Sequence, residues 1–351
     1  MTTQLPGAAP LELGVETFGD ITEDAEGKLL SHAQVIRNVV TEGQHAEASG
    51  LDFFGIGEHH RDDYAISAPE IVLAALAQST ERINLGTAVT VLSSDDPVRV
   101  FQRFATLQAL SNNRAEIIAG RGSFVESFPL FGYNLNDYEE LFEEKLELLA
   151  RLRHGTPVSW SGQLRPALNN QQIYPFLESS EVRTWVGVGG SPESVIRAAR
   201  HGLPLFLAII GGQPAAFKSL VTLYHKALES FGKQPQQVAA HFHGLVAQSD
   251  EEALELLWPH YQRTMNRLGS ERGWPAASKM RLQAAMGRDG AMLAGSPQTV
   301  AEKIVRFSKE LGLSRVDIKY SQGTMPHETM MHGIHLLGTE VKPLVLDMLG
   351  R

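Results

Sequence analysis

The segment Phe53-Phe54-Gly55-Ile56-Gly57-Glu58-His59-His60 joins an apolar run to a cluster of polar side chains. Residues 53–57 carry no charge and show no alternation of polar and apolar side chains, which is typical of a parallel strand covered on both faces. Helix-forming stretches flank the segment, since residues 31–49 precede it and Pro69 opens the next helix. The segment therefore predicts one strand–helix unit with polar residues at the carboxyl end of its strand.

The same unit recurs along the chain. Strand-forming runs alternate with helix-forming stretches, and most of the runs are continuously apolar. Besides residues 53–57, the predicted strands are residues 11–18, 83–92, 114–119, 184–188, 203–209, 238–247 and 315–320. Eight such units without a linker predict a closed (β/α)₈ TIM barrel, formed by residues 1–351 as a single domain. An open, doubly wound sheet is the alternative fold.

Two stretches interrupt this rhythm, and we interpret them as insertions after strands 4 and 7. Residues 154–182 are rich in proline and glycine and show no clear period, so we expect an excursion on the rim with a hairpin near residues 158–163. Residues 269–295 are a second irregular stretch, located after the helix that follows the seventh strand.

Composition and charge exclude several classes of protein. Hydrophobic residues make up 43% of the chain, which is ordinary for a globular protein. The formal net charge of -9 argues against nucleic acid or an anionic membrane as the main partner. The chain has no cysteine, which removes disulfides, thiolate nucleophiles and thiolate metal sites. No membrane span and no secretory signal are expected, so we predict a cytoplasmic location.

In a TIM barrel the chemistry lies at the carboxyl ends of the strands, so the polar residues there are the candidates. Glu58, His59 and His60 follow the second strand, and at most one of the adjacent histidines faces the mouth. One interpretation is a general acid or base, since histidine titrates near neutral pH; the other is a rim histidine bonded to nearby acids. A metal site would need ligands from other strands, and His241 and His243 lie in mid-strand.

The fourth strand ends in Gly120-Arg121-Gly122. Two glycines beside one arginine give an open backbone and a bidentate donor, which suits a phosphate. The alternative is that Arg121 pairs with an acid such as Glu126.

The fifth strand runs into Gly189-Gly190-Ser191-Pro192-Glu193-Ser194, a glycine turn that opens a helix. Ser191 is a good N-cap, and the free N–H groups of such a turn favour an anion; the alternative is a capped helix and nothing more. Residues 295–299, Gly-Ser-Pro-Gln-Thr, repeat the motif, so at least one copy is expected to be only a cap. We favour the first copy for a phosphate because it has more glycines and directly follows a strand.

These motifs, in this order, resemble the bacterial luciferase-like flavin monooxygenase superfamily over nearly the whole chain. The motifs that carry the resemblance are Glu58-His59-His60, Gly86-Thr87-Ala88-Val89, Asp96-Pro97-Val98-Arg99, Gly120-Arg121-Gly122 with Phe131-Gly132, and Gly190-Ser191-Pro192-Glu193-Ser194 with Gly202-Leu203-Pro204. The resemblance implies a barrel that binds reduced FMN in its mouth, with the flavin ring against a non-proline cis peptide bond between Ala88 and Val89.

The resemblance also implies the roles of individual residues. It gives His59 the catalytic role and assigns the phosphate to Arg121, Ser191 and Ser194. The implied cofactor-binding set is Thr87, Ala88, Val89, Gly120, Arg121, Gly189, Gly190, Ser191 and Ser194, and no metal is implied. In the luciferases a cysteine stands at the position of Gly120 and an acidic residue at that of Gly190, so light emission and long-chain aldehyde specificity are not carried over.

The function implied is that of a two-component FMN-dependent monooxygenase. A separate flavin reductase supplies reduced FMN, O₂ converts it to a C4a-peroxyflavin, and this attacks a small organic substrate while His59 shuttles the proton. The resemblance further implies a homodimer. Three alternatives stay open: a deazaflavin-dependent dehydrogenase of the same superfamily, a non-catalytic flavin-binding subunit, and a metal-dependent barrel hydrolase using His59 or His60.

Overall fold

A computed structural model describes residues 10–122 and 124–351. The strands in these residues are β1 (Glu12–Thr17), β2 (Phe53–Ile56), β3 (Asn84–Thr87), β4 (Thr90–Val91), β5 (Ala115–Gly120), β6 (Val158–Trp160), β7 (Leu168–Gln171), β8 (Arg183–Val188), β9 (Leu205–Ala208), β10 (Val238–Val246), β11 (Leu293–Gly295) and β12 (Arg315–Lys319). The α-helices are α1 (His32–Ala48), α2 (Pro69–Ser79), α3 (Pro97–Leu110), α4 (Ser127–Phe131), α5 (Tyr138–Leu152), α6 (Pro192–His201), α7 (Lys218–Ser230), α8 (Asp250–Arg272), α9 (Lys279–Met286), α10 (Pro297–Leu311), α11 (His327–Leu336) and α12 (Lys342–Met348). A π-helical turn, Leu337–Val341, joins α11 to α12.

Eight parallel strands close into a barrel in the order β1, β2, β3, β5, β8, β9, β10, β12, and β12 pairs again with β1. At the closing seam Glu12 lies opposite Arg315, and Glu16 lies opposite Lys319. Helices connect successive barrel strands, so all carboxyl ends meet at one end of the barrel, which we call the mouth. The closure confirms the predicted TIM barrel and excludes the open sheet.

Apolar side chains form two layers, as expected when both faces of a parallel sheet are covered. The larger layer lies between the strands and the surrounding helices. The smaller layer fills the inside of the barrel and consists of Phe53, Ala88, Ile118, Trp185, Phe206 and Ala239. The inner layer supports the floor of the mouth.

The residues at the ends of the helices explain why the helices begin and end there. The Asp96 side chain accepts from the backbone N–H groups of Val98 and Arg99, which caps α3. Gly202 ends α6 in the left-handed conformation, at φ 63°. In the described ranges, no helix combines the length and apolar composition that a membrane span needs.

The third predicted strand, residues 83–92, is interrupted in the structure. β3 ends at Thr87, the peptide bond between Ala88 and Val89 is cis, and β4 resumes at Thr90. Across this break the Thr87 and Thr90 hydroxyl groups hydrogen-bond to each other at 2.7 Å. The apolar pattern alone is the same on both sides of the break, which is why it predicts one continuous strand.

The two insertions are more ordered than their sequences indicate. Residues 154–182 contain the antiparallel hairpin of β6 and β7, which is wider than the predicted turn region of 158–163. The expectation that residues 269–295 are irregular is wrong, since they contain α9 and β11, and β11 pairs in parallel with β10. Leu293 lies opposite Gly244 in that pairing, so a tertiary contact with a barrel strand orders the segment.

Candidate functional site

One side of the mouth is built from small residues around the cis peptide bond. A Cβ atom built on Gly120 would lie 2.6 Å from Cγ2 of Val89, and one on Gly187 would lie 3.2 Å from its Cγ1. A Cβ on Gly57 would lie 2.9 Å from the carbonyl oxygen of Ala88. These glycines therefore leave the space that Ala88 and Val89 occupy. Together with the cis peptide they form a backbone surface, which we call the bed, that a planar ligand can approach.

His59 lies beside this bed in an aromatic enclosure. Its ring centroid is 4.8 Å from that of Phe18, 4.4 Å from that of Tyr64 and 5.1 Å from that of Phe124. Burial lowers the pKa of His59 from 6.5 to about 3, although the nearby Asp20 carboxylate opposes that shift. The imidazole is therefore neutral at physiological pH, with one ring nitrogen as a donor and the other as an acceptor.

His60 has a different environment from its neighbour. Its Nε2 atom lies 2.8 Å from Oε1 of Glu58, and the other oxygen of Glu58 accepts from the backbone N–H of Val91 at 3.3 Å. Glu58 thereby links His60 to the segment that follows the cis bond. The interpretation of a histidine bonded to an acid thus applies to His60, whereas His59 is the histidine surrounded by aromatic rings.

Phe124 completes the enclosure by contacting the rings of His59 and Tyr64, and its position was not predicted from the sequence. The guanidinium of Arg61 lies 4.6 Å above its ring, and that of Arg272 lies 5.0 Å away. Arg61 also donates to Asp63, Glu126 and Glu271, which come from three different segments. These ion pairs hold the loop after β5 against the loop after β2 and the end of α8.

The opposite side of the mouth carries ionisable groups. Nδ1 of His241 is hydrogen-bonded to Oε2 of Glu16, and both side chains are buried. Lys319 donates to both oxygens of Asp20 at 3.0 Å, and its Nζ lies 4.7 Å from the centroid of the Phe18 ring. These charges are paired within the barrel, as buried charges generally must be.

Arg121 lies at the mouth, at the end of β5. Its Nη1 atom forms an ion pair with Glu139, at the start of α5, and its guanidinium lies 5.4 Å from the centroid of the Tyr138 ring. The alternative partner considered from the sequence, Glu126, is bonded to Arg61 instead. Arg121 therefore lies at the predicted place, where its guanidinium donates hydrogen bonds to an anionic group. Its partner in the structure is Glu139, which the sequence did not indicate.

The turn after β8 has the predicted form. The Ser191 side chain caps α6 by accepting from the N–H of Ser194 at 3.3 Å, and the two hydroxyl groups are 2.7 Å apart. Arg197, one turn further along α6, donates to the Ser194 hydroxyl at 3.4 Å. A Cβ atom on Gly189 would meet nothing within 4 Å, and one on Gly190 would meet only Phe217, at 3.9 Å. The backbone at this helix start is open to a ligand.

The second copy of the motif shows what such a turn binds. Ser296 caps α10 as Ser191 caps α6, with Thr299 in the place of Ser194. Here the Asp250 carboxylate accepts from the N–H of Ser296 at 2.7 Å and from the Thr299 hydroxyl at 3.0 Å. A Cβ atom on Gly295 would lie 2.4 Å from Oδ1 of Asp250. In this copy a carboxylate of the chain itself occupies the anion position, so it is a cap, as expected for one of the two.

A cavity lies at the end of the barrel opposite the mouth. It has a volume of about 650 Å³ and is lined by side chains that include Glu116, Arg153 and Arg183. Arg153 is paired with Glu181, and Arg183 is paired with Glu116. In a TIM barrel this end usually serves stability, and both of these arginines are already paired, so we place the functional site at the mouth.

No group of three His, Asp or Glu side chains with the arrangement of a metal site occurs in residues 10–122 and 124–351. His241 and His243 are neighbours on β10, with ring centroids 5.5 Å apart, but His241 is engaged by Glu16. The geometry therefore offers no support for the metal-dependent hydrolase alternative.

A TIM barrel with a cis peptide bond among glycines and an open, capped helix start at its mouth has the form of a barrel enzyme. The chain belongs to the luciferase-like monooxygenase family, whose model matches residues 17–315. The alkanal monooxygenase alpha chain of Photorhabdus luminescens is 26% identical over 224 residues, which cover 61% of this chain and 59% of that protein. The predicted family is thus confirmed.

Solved structures show the same fold. The monooxygenase RslO1 from Streptomyces bottropensis has a TM-score of 0.81 at 22% identity, over 95% of this chain and 99% of that one. The oxygenating constituent of 3,6-diketocamphane monooxygenase from Pseudomonas putida, solved with FMN, has a TM-score of 0.74 at 18% identity, over 95% and 99%. An F420-dependent secondary alcohol dehydrogenase also has a TM-score of 0.74 at 18% identity, over 96% and 99%. The fold is therefore shared by enzymes that use either kind of flavin cofactor.

Proposed function

We propose that the protein is a two-component, FMN-dependent monooxygenase that acts on a small organic substrate with O₂. The observation that carries the proposal is the contrast between the two glycine-serine-proline turns. At α10 the anion position holds Asp250, whereas at α6 the same turn is open beside Gly189, and Arg121 lies at the end of the neighbouring strand β5. A phosphate at α6 fits this donor set, because backbone N–H groups, hydroxyl groups and guanidinium groups all favour it.

Each residue then has a defined task toward the cofactor. Arg121, Ser191 and Ser194 hold the phosphate, and Gly189 and Gly190 let it approach the backbone. Thr87, Ala88 and Val89 would hold the flavin ring, and Gly120 leaves the space that Val89 fills. Bound reduced FMN supplies the electrons that activate O₂.

His59 is the catalytic residue in this proposal. Phe18, Tyr64 and Phe124 surround its ring, and burial keeps the imidazole neutral. A neutral imidazole donates a hydrogen bond from one nitrogen and accepts a proton at the other, so it can transfer a proton without remaining protonated. The aromatic rings also limit the access of water to the reaction.

The proposal also covers the source of the reduced FMN, the oligomeric state of the enzyme and its location. The sequence contains no G-x-G-x-x-G nicotinamide fingerprint, which supports a separate flavin reductase as the source of reduced FMN. Ile71 on α2 and Leu110 on α3 are exposed apolar side chains, which supports a homodimer through these helices. The lack of cysteine supports a cytoplasmic location, and residues 1–351 act as one domain.

The deciding experiment compares cofactors. The purified protein is mixed without oxygen with photoreduced FMN and, separately, with reduced F420, and absorbance and fluorescence are recorded before and after air is admitted. Binding of reduced FMN and air-dependent oxidation of the bound cofactor support the proposal. Binding of F420 alone, without reaction with air, would instead assign the protein to the deazaflavin-dependent dehydrogenases.

The variant His59→Gln separates binding from catalysis. We expect it to bind reduced FMN as the wild type does and to lose most substrate-dependent O₂ consumption, about 10²-fold, because one acid–base group is removed. Turnover equal to that of the wild type would reject the catalytic role of His59. A protein that binds FMN but consumes no O₂ with any substrate tested would be the non-catalytic flavin-binding subunit.

A further inference from the structure

A glutamate bridges the two guanidinium groups nearest to the α6 turn. Glu139 forms an ion pair with Nη1 of Arg121 through one carboxylate oxygen, and its other oxygen accepts from Nη2 of Arg197 at 3.0 Å. Arg121 is at the end of β5 and Arg197 is on α6, so Glu139 joins two elements that meet at the mouth. Its carboxylate lies between the two guanidinium groups, at the position where an external anion would contact both of them.

Glu139 is held at the protein surface by its hydrogen-bonded ion pairs with Arg121 and Arg197. Its side chain is 59% exposed, whereas that of Arg197 is 9% exposed. Exposed ion pairs of this kind are weak, so the cost of breaking these two is small. The Arg197 guanidinium does not depend on Glu139 for its position, because its Nε atom donates to Glu143 at 2.5 Å and its Nη1 to the Ser194 hydroxyl.

The charge balance indicates that a phosphate and Glu139 compete. Arg121, Arg197 and Arg200 carry three positive charges in this cluster, and Glu139 and Glu143 carry two negative charges. A phosphate monoester brings nearly two further negative charges at neutral pH. Like charges at such short distances repel, so the phosphate gains its two guanidinium partners only when Glu139 turns away.

We propose that Glu139 is an exchangeable anion that competes with the flavin phosphate for Arg121 and Arg197, and that Arg197 is a phosphate-binding residue. This inference rests on the proposed function, whose site it deepens. The exchange lowers the affinity for a phosphorylated flavin and leaves that for an unphosphorylated flavin unchanged. Weak, reversible binding of this kind suits an enzyme that receives its reduced cofactor from another protein and releases the oxidised form.

The test measures dissociation constants by fluorescence titration of FMN and of riboflavin, which lacks the phosphate. We expect Glu139→Gln to tighten FMN binding about tenfold, because a competing charge is removed, and to leave riboflavin binding unchanged. Glu143→Gln is the control, since Glu143 is one helical turn away and also binds Arg197, but its other arginine partner is Arg200, whereas that of Glu139 is Arg121. It is expected not to tighten FMN binding.

The variant Arg197→Lys tests the second part of the inference. We expect weaker binding of FMN, by about fivefold or more, with riboflavin unaffected, because lysine keeps the charge but loses the bidentate geometry. Unchanged or weaker FMN binding in Glu139→Gln, or equal tightening of riboflavin, would overturn the competition. Circular dichroism of each variant checks that the barrel is folded.

The competition is testable even if the proposed function fails. If no form of the protein binds FMN, the midpoint of thermal unfolding is compared in inorganic phosphate and in chloride at equal ionic strength. A larger stabilisation by phosphate in Glu139→Gln than in the wild type and Glu143→Gln supports the exchange. Equal stabilisation of all three proteins contradicts it.

Discussion

The Oδ1 atom of Asp250 accepts a hydrogen bond from the backbone nitrogen of Ser296 at 2.7 Å, so the start of α10 is capped by a carboxylate from another helix. Asp250 is also the first residue of α8, where a negative charge is favourable for that helix as well. One carboxylate therefore interacts with two helix N-termini. Within the described residues, no carboxylate from another helix caps the corresponding turn at α6, and Glu139 is held by Arg121 and Arg197 instead.

The first prediction concerns this shared carboxylate. We expect Asp250→Asn to lower the free energy of unfolding by about 1–2 kcal/mol, because a charge near two helix dipoles and a charge-assisted hydrogen bond are lost together. Urea denaturation measures the change. Addition of sulfate is expected to restore part of it, since an external anion fits the same donors.

The control for this prediction is Glu251→Gln. Glu251 lies in the first turn of α8 beside Asp250 and is exposed, so it shares the dipole of α8 but makes no contact with α10. We expect a loss of at most about 0.5 kcal/mol and no special response to sulfate. Equal losses in the two variants would show that the contact with Ser296 contributes nothing measurable.

The second prediction concerns the protonation of His59. We expect its Cε1 proton resonance, assigned by comparison with His59→Gln, to show no titration above about pH 4, because burial lowers its pKa to about 3. The unfolded chain binds a proton on this residue below about pH 6.5, and the folded chain does not. Stability due to the neutral ring is therefore complete above pH 6.5 and falls as the pH is lowered toward 3.

Phenylalanine variants identify the source of this shift. Phe124→Ala admits water to the enclosure, so the pKa of His59 is expected to rise toward 6.5. Phe131→Ala is the control, because Phe131 contacts the ring of His60 and not that of His59. If His59 titrates near pH 6.5 in the wild-type protein, the enclosure is not closed in solution.

The strands of the barrel are predictable because burial on both faces leaves a local signature in the sequence. The site is predictable only where a short motif carries it, as at Gly120-Arg121-Gly122 and at residues 189–194. The partners of these motifs come from distant positions: Glu139 and Phe124 reach the mouth through the packing of α5 and of the loop after β5. The sequence indicates Arg197 only weakly, through its spacing of one helical turn from Ser194. No sequence pattern predicts β11, because its three residues form a strand only by pairing with β10.

The third prediction tests the open backbone at the α6 turn. Gly189→Ala is expected to keep the wild-type free energy of unfolding within about 0.5 kcal/mol, since its Cβ meets nothing within 4 Å. It is expected to weaken FMN binding about tenfold, because the methyl group occupies space that the cofactor needs. Gly120→Ala is the contrast: its Cβ would lie 2.6 Å from Val89, so about 1–3 kcal/mol of stability is lost. Wild-type FMN affinity in Gly189→Ala would place the phosphate elsewhere.

The last prediction concerns the charges at the end of the barrel opposite the mouth. Glu116 is buried and accepts from Arg315 at 2.9 Å, from Arg183 at 3.1 Å and from the Trp185 indole at 2.6 Å. Burial alone would raise the pKa of Glu116, but the Arg315 and Arg183 guanidinium groups outweigh it and hold the pKa below 4.5. The stability that this carboxylate contributes is therefore present above pH 4.5 and is lost as the pH falls below its ordinary pKa.

We expect Glu116→Gln to cost about 3–5 kcal/mol at pH 7, because it removes one carboxylate from a fully buried network and leaves Asp317, at 3.1 Å, to balance the charge of Arg315. The variant should also lose less stability on acidification than the wild type. Glu12→Gln provides the comparison, since Glu12 lies 3.5 Å from Arg183 and 3.8 Å from Arg315 but its side chain is 26% exposed. Its loss should stay below about 1 kcal/mol. Urea unfolding at pH 7 and pH 4 measures both, and equal losses in the two variants would mean that burial does not set the strength of this network.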